Sequence, residues 1–378
     1  MEFICSKEDL ARGVQMVERI VSTRSTLPII GNILFEAKKS GLKLSANNLE
    51  IGIELMLSAR VNSEGSILVP AKTLGGIVSK LPSGDVTFTV KERGLINIKY
   101  KKSNFNIHGL PSDEFPQLSK IKESYSFSIG AGLFSSMLSQ TLFAASGSEE
   151  KYVLNGALLE VGSSAGEGSN VKLVATDGYR LAKRGAVVNG VDQEFSVIIP
   201  SKALQELSRV IASEGGEAVM ILASKDQVAF RYKDYYLVSR LIQGQFPDYK
   251  RVIPKNLGNK LVMDRKSLLE AAERCSVIAS QSANIVRLEL KVDGLHIMAQ
   301  APDVGSVDEV IEVEVKGKSK AQIAFNVRLL IDSLKAINNE KVSFDVGGPL
   351  DPGLIMPVGE DDYVYIVMPI RTQEVATA

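Results

Sequence analysis

Apolar and polar positions alternate with a period of two through most of this chain, and stretches with helical spacing break that pattern. Leu10, Val14, Val17 and Val21 fall on one helical face, as do Phe134, Leu138, Leu142 and Ala145. Leu268, Ala272 and Cys275 repeat the theme later in the chain. Ser6 and Asp264 stand where N-caps belong, because a short side-chain oxygen can accept the free amides of a first turn. A second series of helices starts at Val69-Pro-Ala-Lys-Thr-Leu, at Ile199-Pro-Ser-Lys-Ala-Leu and at Phe325-Asn-Val-Arg-Leu-Leu. In each, a strand end is followed by Pro or Asn, a small residue, a cation and an amphipathic run. Hairpin-like alternation fills Ile33–Leu57, Gly156–Val188 and Val286–Val315. Further strands occupy Val86–Leu110, Ala218–Ile242 and Val342–Ile370.

These elements recur in register. Pro70 and Pro200 are 130 positions apart, and Pro200 and Asn326 are 126 apart. The chain therefore reads as three copies of one unit, at 1–122, 123–255 and 256–378, each running helix, strands, helix, strands. That order predicts an α+β fold with helices on one face of antiparallel sheets. Units of about 125 residues are whole domains rather than solenoid repeats. Similar domains joined head to tail by similar interfaces curve, and a curve that closes makes a ring.

Composition narrows the function. The formal net charge is zero, from 44 basic and 44 acidic residues, which excludes a uniformly basic nucleic-acid binder but not one with segregated charge. Each second helix carries a cation in its first turn and another about two turns later. These are Lys72 and Lys80, Lys202 and Arg209, and Arg328 and Lys335, each pair on one face. Six such cations can line a surface for phosphates, although Glu206 and Asp332 share the helices. Ordinary solvated helix faces give the same pattern. Cys5 and Cys275 are far apart and predict two reduced thiols with no disulfide framework. No apolar run approaches the roughly 20 residues needed to span a membrane, so a soluble cytoplasmic protein is expected.

Catalytic and metal motifs are missing from the sequence, and no cofactor is expected. There is no nucleophile elbow, phosphate loop, zinc-protease helix or calcium loop. His108 and His296 lie in strand-like alternation, where an isolated histidine is an ordinary side chain more often than a ligand. Asp177 and Asp248 could form a carboxylate pair, yet Asp177-Gly178 reads as a hairpin turn and Asp248 follows Phe246-Pro247 in a loop. A hydrolase is thereby disfavoured, while a non-DNA peptide-binding scaffold remains the alternative reading.

Longer motifs point to a family. Val174-Ala-Thr-Asp-Gly-Tyr-Arg-Leu-Ala182, Gln243-Gly-Gln-Phe-Pro-Asp-Tyr-Lys-Arg-Val-Ile-Pro254 and Tyr365-Ile-Val-Met-Pro-Ile-Arg371 closely resemble the bacterial β sliding clamps, the processivity subunits of DNA polymerase III. Thr26-Leu-Pro-Ile-Ile-Gly-Asn32 and Tyr152-Val-Leu-Asn-Gly156 add to the likeness, which covers the whole chain. The resemblance implies three clamp domains in a head-to-tail homodimeric ring around double-stranded DNA, with no catalysis. It also implies partners that dock through short peptides: polymerase III subunits, a clamp loader, other polymerases and repair proteins.

The implied peptide site lies between the second and third domains. Leu154, Thr176, Gly178, Tyr179, Arg180 and Leu181 would come from the second. Pro247, Arg251 and Val252 would come from the interdomain segment, and Ile366, Met368, Pro369, Ile370 and Arg371 from the last strand, with Asn326 beside them. Arg24, Lys151 and Tyr152 fall where the family touches DNA. Val277 and Ile278 would meet Phe105 of the partner. The sequence departs from the family at Ser148, where glutamine is common, at Val153, where a second tyrosine is common, and in the tail Thr372–Ala378.

Overall fold

The computed structural model describes residues 1–21, 27–121, 125–162, 170–191, 193–214, 216–254, 257–317 and 321–371. In the first third, β1 (Glu2–Ser6) and α1 (Lys7–Glu18) precede β2 (Asn32–Lys38), β3 (Gly41–Asn47), β4 (Ile51–Leu57), β5 (Arg60–Ser63) and β6 (Gly65–Pro70). Then come α2 (Ala71–Lys80), β7 (Asp85–Val90), β8 (Leu95–Tyr100) and β9 (Ser103–His108). The middle third repeats the order with β10 (Tyr125–Gly130), α3 (Ala131–Thr141), β11 (Gly156–Val161), β12 (Val171–Thr176), β13 (Arg180–Ala186) and β14 (Phe195–Pro200). It continues through α4 (Ser201–Glu214), β15 (Ala218–Ala223), β16 (Gln227–Tyr232) and β17 (Tyr235–Arg240). The last third holds β18 (Asn259–Asp264), α5 (Arg265–Ala279), β19 (Ile285–Lys291), β20 (Gly294–Ala301), β21 (Gly305–Ile311), β22 (Glu314–Gly317) and β23 (Ala321–Asn326). It closes with α6 (Val327–Ala336), β24 (Lys341–Val346), β25 (Gly353–Pro357) and β26 (Tyr363–Val367).

The repeat extends to strand register. Pro70, Pro200 and Asn326 each pair with the first residue of their own hairpin set, Asn32, Gly156 and Ile285. Local chemistry starts the helices as expected. Ser6 accepts the Asp9 amide and Asp264 accepts the Ser267 amide, so each helix enters with one free N–H satisfied. Asn326 does the same for the Arg328 amide. Two helices are shorter than their apolar stripes: α1 stops at Glu18, before Val21, and α3 stops at Thr141, where φ is −124° and a 3-10 turn follows. Both Val21 and Leu142 are nevertheless buried, so periodicity reported burial correctly and helix length too generously.

Contacts divide the chain into two compact units, 1–132 with 206–241, and 133–205 with 242–378. The first unit holds a five-stranded sheet, β5-β1-β7-β8-β9, and an eight-stranded sheet, β10-β15-β16-β17-β4-β3-β2-β6. The second holds a nine-stranded sheet, β14-β11-β12-β13-β26-β25-β24-β18-β22, and a four-stranded one, β21-β20-β19-β23. The two large sheets are continuous because the last strand of one repeat pairs with the third hairpin strand of the repeat before it. Thus β17 pairs β4, and β26 pairs β13. α1 packs on β3 and β4, and α5 on β20 and β21, giving one-sided helical cover. Phe3, Phe35 and Phe88 stack in the first core, with centroids 4.9–6.3 Å apart. Cys5 and Cys275 are free and buried, and burial pushes the Cys275 thiol up to about 11.

Candidate functional site

The β12–β13 turn forms one part of the expected peptide surface. Asp177 Oδ1 accepts the amides of Tyr179 (2.8 Å) and Arg180 (3.0 Å), which fixes the turn, and Gly178 supplies its φ of +90°. Thr176 Oγ1 donates to the Arg180 carbonyl and accepts the Gly178 amide. These bonds present Tyr179, 63% exposed, at the tip. Arg180 is held from two sides: Nε donates to Asp177 (3.1 Å) and Nη1 to Asp332 of α6 (2.6 Å). Its guanidinium lies 5.4 Å from the Phe143 ring centre, and Phe143 leans on Tyr365.

The last strand continues this surface. The Met368 amide donates to the Tyr179 carbonyl (2.9 Å) and the Ile370 amide to Ala324 (2.7 Å), so Met368–Ile370 is pinned at both ends. Beneath lies a core of Leu158, Val174, Leu181, Phe246, Tyr249, Leu354, Val364 and Ile366, with Leu154 and Val153 packed on it. Leu181 (4% exposed) and Ile366 (1%) support the surface from below, whereas Val252 (40%) and Met368 (37%) stand out from it. Pro369 and Ile370 are half-buried, and Pro247 and Arg371 are exposed. Arg251 is exposed and paired with Asp248 (2.8 Å). Asn326 is occupied in capping α6.

Asp177 and Asp248 are thus engaged in turn geometry and ion pairs rather than facing each other. His296 is held between Asp293 and Asp308, at 3.1 and 2.9 Å, and its bond to Asp293 raises its pKa. Tyr249 donates to Glu160 (2.6 Å), and burial followed by that bond raises its phenol pKa.

The six helix cations are all exposed, and of the two helix acids only Glu206 meets one of them. Asp332 reaches Arg180, and Glu206 is buried under Arg209 and Arg19. Lys335 pairs with Glu273 of α5 (2.8 Å), while Arg209 pairs along its own helix with Glu206. Sequence reasoning missed Arg12 and Arg19, which join Arg209 around a recess of about 550 Å³ between α1 and α4. Their exposed i, i+7 spacing on α1 was the available signal. Lys151, expected at DNA, donates to the Asp177 carbonyl (2.7 Å) and lies 4.7 Å over the Tyr179 ring. Tyr152 is exposed beside it. Arg24 and the tail 372–378 lie outside the described residues.

Family models of the DNA polymerase III β subunit match in order along the chain: the N-terminal domain at residues 1–119, the central domain at 128–248 and the C-terminal domain at 250–371. The chain belongs to the β sliding clamp family. A beta sliding clamp of Synechocystis is 36% identical, over 98% of this chain and 99% of its own length. That of Bacillus subtilis is 31% identical, over 98% and 100%. The solved Bacillus subtilis DNA polymerase sliding clamp matches with a TM-score of 0.92, covering 98% of this chain and 99% of that one. A Pseudomonas aeruginosa sliding clamp solved with griselimycin bound matches at 0.91, with 30% identity and 98% and 100% coverage. The α+β, three-domain reading therefore stands as a clamp fold.

Of the residues expected at the partner contact, Phe105 lies on β9, and Val277 and Ile278 lie on α5. Phe105 is half-buried on β9, an outer strand of the five-stranded sheet, and Val277 is 66% exposed on α5. β21, the third hairpin strand of its repeat, is likewise an outer strand.

Proposed function

We propose that this chain is a non-catalytic DNA sliding clamp. Two copies close head to tail around duplex DNA and hold the replicative polymerase and other DNA-processing proteins at the surface formed by Tyr179, Arg180, Val252 and Met368. Repeat boundaries at 1–122, 123–255 and 256–378 are part of this proposal. Cytoplasmic residence fits the two buried thiols and the lack, among the described residues, of a helix long and apolar enough to cross a membrane.

The observation that carries the ring is a pair of unfilled joints. Wherever a last strand meets a third hairpin strand, both are well buried: β4, β17, β13 and β26 are mostly covered along their lengths. β9 and β21 are the only such strands left without that partner among the described residues, and they are mostly exposed. Hairpin registers carry the pairing over. Phe105 stands at the place of Leu237, and Val307 at the place of Ile53, which pair with each other across the first joint. β9 of one copy then extends β21 of the other, antiparallel, with Phe105 opposite Val307. Directly opposed residues place their Cβ atoms about 4.5–5.5 Å apart. A Phe105→Cys, Val307→Cys chain is therefore expected to form a covalent dimer on mild oxidation, while each single variant stays uncrosslinked. Equal crosslinking when Phe105→Cys is combined with cysteine at exposed Val292 would contradict this register.

The mechanism is topological. A closed ring leaves duplex DNA only by opening or by reaching an end, so a weak docking contact acquires the residence time of the ring. Dispersed cations suit sliding, since every strong phosphate contact slows it. The scaffold alternative lacks an account of β9 and β21 and of the cations exposed on α2, α4 and α6.

A further inference from the structure

The joint between β4 and β17 is built like the joint that carries the peptide surface, and the chain itself occupies it. Both ladders run for five pairs, Ile51↔Ser239 to Leu55↔Tyr235 in one and Arg180↔Val367 to Arg184↔Tyr363 in the other. The preceding turns match. Asn48 Oδ1 accepts the Glu50 and Ile51 amides as Asp177 accepts those of Tyr179 and Arg180. Leu49 takes φ +76° where Gly178 takes +90°. The strand exits match as well: the Arg240 amide donates to Glu50 at 2.9 Å, as Met368 does to Tyr179. The closing segments of the first two repeats share a Phe-Pro pair, Phe115-Pro116 and Phe246-Pro247.

Two positions separate the two joints. Leu181 of the peptide surface corresponds to Gly52, and Leu354 corresponds to Ala229, so the first joint has room where the second has leucines. Leu118 fills that room. A Cβ on Gly52 would lie 2.6 Å from Leu118 Cγ. Leu118 and Ile121 pack on Leu222, Ala229, Val238 and Tyr236. The Tyr236 hydroxyl donates to the Ser119 carbonyl (3.3 Å) and Asn47 donates to that of Pro116 (3.0 Å), so the segment is gripped through its backbone, as a bound peptide would be. Tyr249, the counterpart of Leu118, lies in the core beneath its surface with Leu181 and Leu354, and its hydroxyl donates to Glu160.

We infer that the first joint is a second peptide groove whose resident ligand is the chain's own segment from Leu118 to Ile121. The inference rests on the peptide-site reading for its interpretation, but its test does not depend on that site working. The groove accepts an aliphatic anchor over Gly52 and Ala229, and its occupation leaves each chain one open docking surface.

The probe is a fluorescently labelled synthetic peptide of residues 112–121. It is titrated into the full-length dimer in an Arg180→Ala, Met368→Ala background, which disables the other surface. Adding Leu118→Ala and Ile121→Ala is expected to create one saturable equivalent per chain, and a probe with its own leucine and isoleucine replaced by alanine is expected to bind at least tenfold more weakly. Should the fourfold variant not fold, Leu118→Ala alone in that background serves, with the same stoichiometry at lower affinity. A folded variant that gains no equivalent, or that binds both probes alike, overturns the inference. Loss of partner-peptide binding only in the Arg180→Ala, Met368→Ala background reports separately on the open surface.

Discussion

A Phe105→Asp chain is expected to sediment as a folded monomer at micromolar concentrations, and the unaltered chain as a dimer. Phe105 is half-exposed on an outer strand, so the substitution removes little from the core of its own chain. Across the inferred joint it places a carboxylate against Val307, with Asp308 and Glu309 on either side of the facing strand. Breaking an interface with one uncompensated buried charge costs about 3–5 kcal/mol, and a two-fold ring contains the same joint twice. Dissociation should therefore rise by at least two orders of magnitude. Ile278→Asp, on the adjoining face of α5, should act in the same direction. Velocity sedimentation over a dilution series reads the result, with circular dichroism showing that the monomer is folded. A Phe105→Asp dimer that survives dilution places the contact elsewhere.

The second large effect concerns docking. Met368→Ala combined with Arg180→Ala is expected to weaken partner-peptide binding roughly 30- to 100-fold, about 2–3 kcal/mol, as for loss of central contacts in a small interface. Met368 supplies exposed apolar area at the centre of the surface. Arg180 works differently: with Asp177 and Asp332 it ties the turn to α6, so its loss also loosens the carbonyl of Tyr179 that anchors Met368. Fluorescence anisotropy gives the affinity and sedimentation shows the dimer unchanged. Unaltered affinity would remove this surface from the account.

Much of the architecture was legible because it is local. N-caps at Ser6 and Asp264, the Asp177-Gly178 turn and the alternation of β20 depend on neighbours within a few positions, and the three-fold period made each instance support the others. The motifs at 174–182 and 365–371 brought the family with them. Harder to read were facts set by distant partners. Nothing near Asp332 in sequence shows that it serves Arg180, 152 positions away. Leu181 and Ile366 stand in motifs expected to line the peptide site, and their pairing across β13 and β26, which sets their burial, joins positions far apart in sequence. Lys151 is a cation in a family DNA position, and the Asp177 carbonyl captures it. The spacing of Arg12 and Arg19 gave no hint of their third member, Arg209, which lies on another repeat. Helix ends were also missed, since burial persists past Glu18 after the helical bonds stop.

Retention on a nicked circular duplex, followed by linearisation with a restriction enzyme, tests the tether most directly. Loaded rings are expected to stay with the circle through gel filtration in moderate salt and to be lost within minutes once free ends exist. Release from the intact circle at the same rate, or retention on the linear form, would show that this chain holds DNA by contact or not at all.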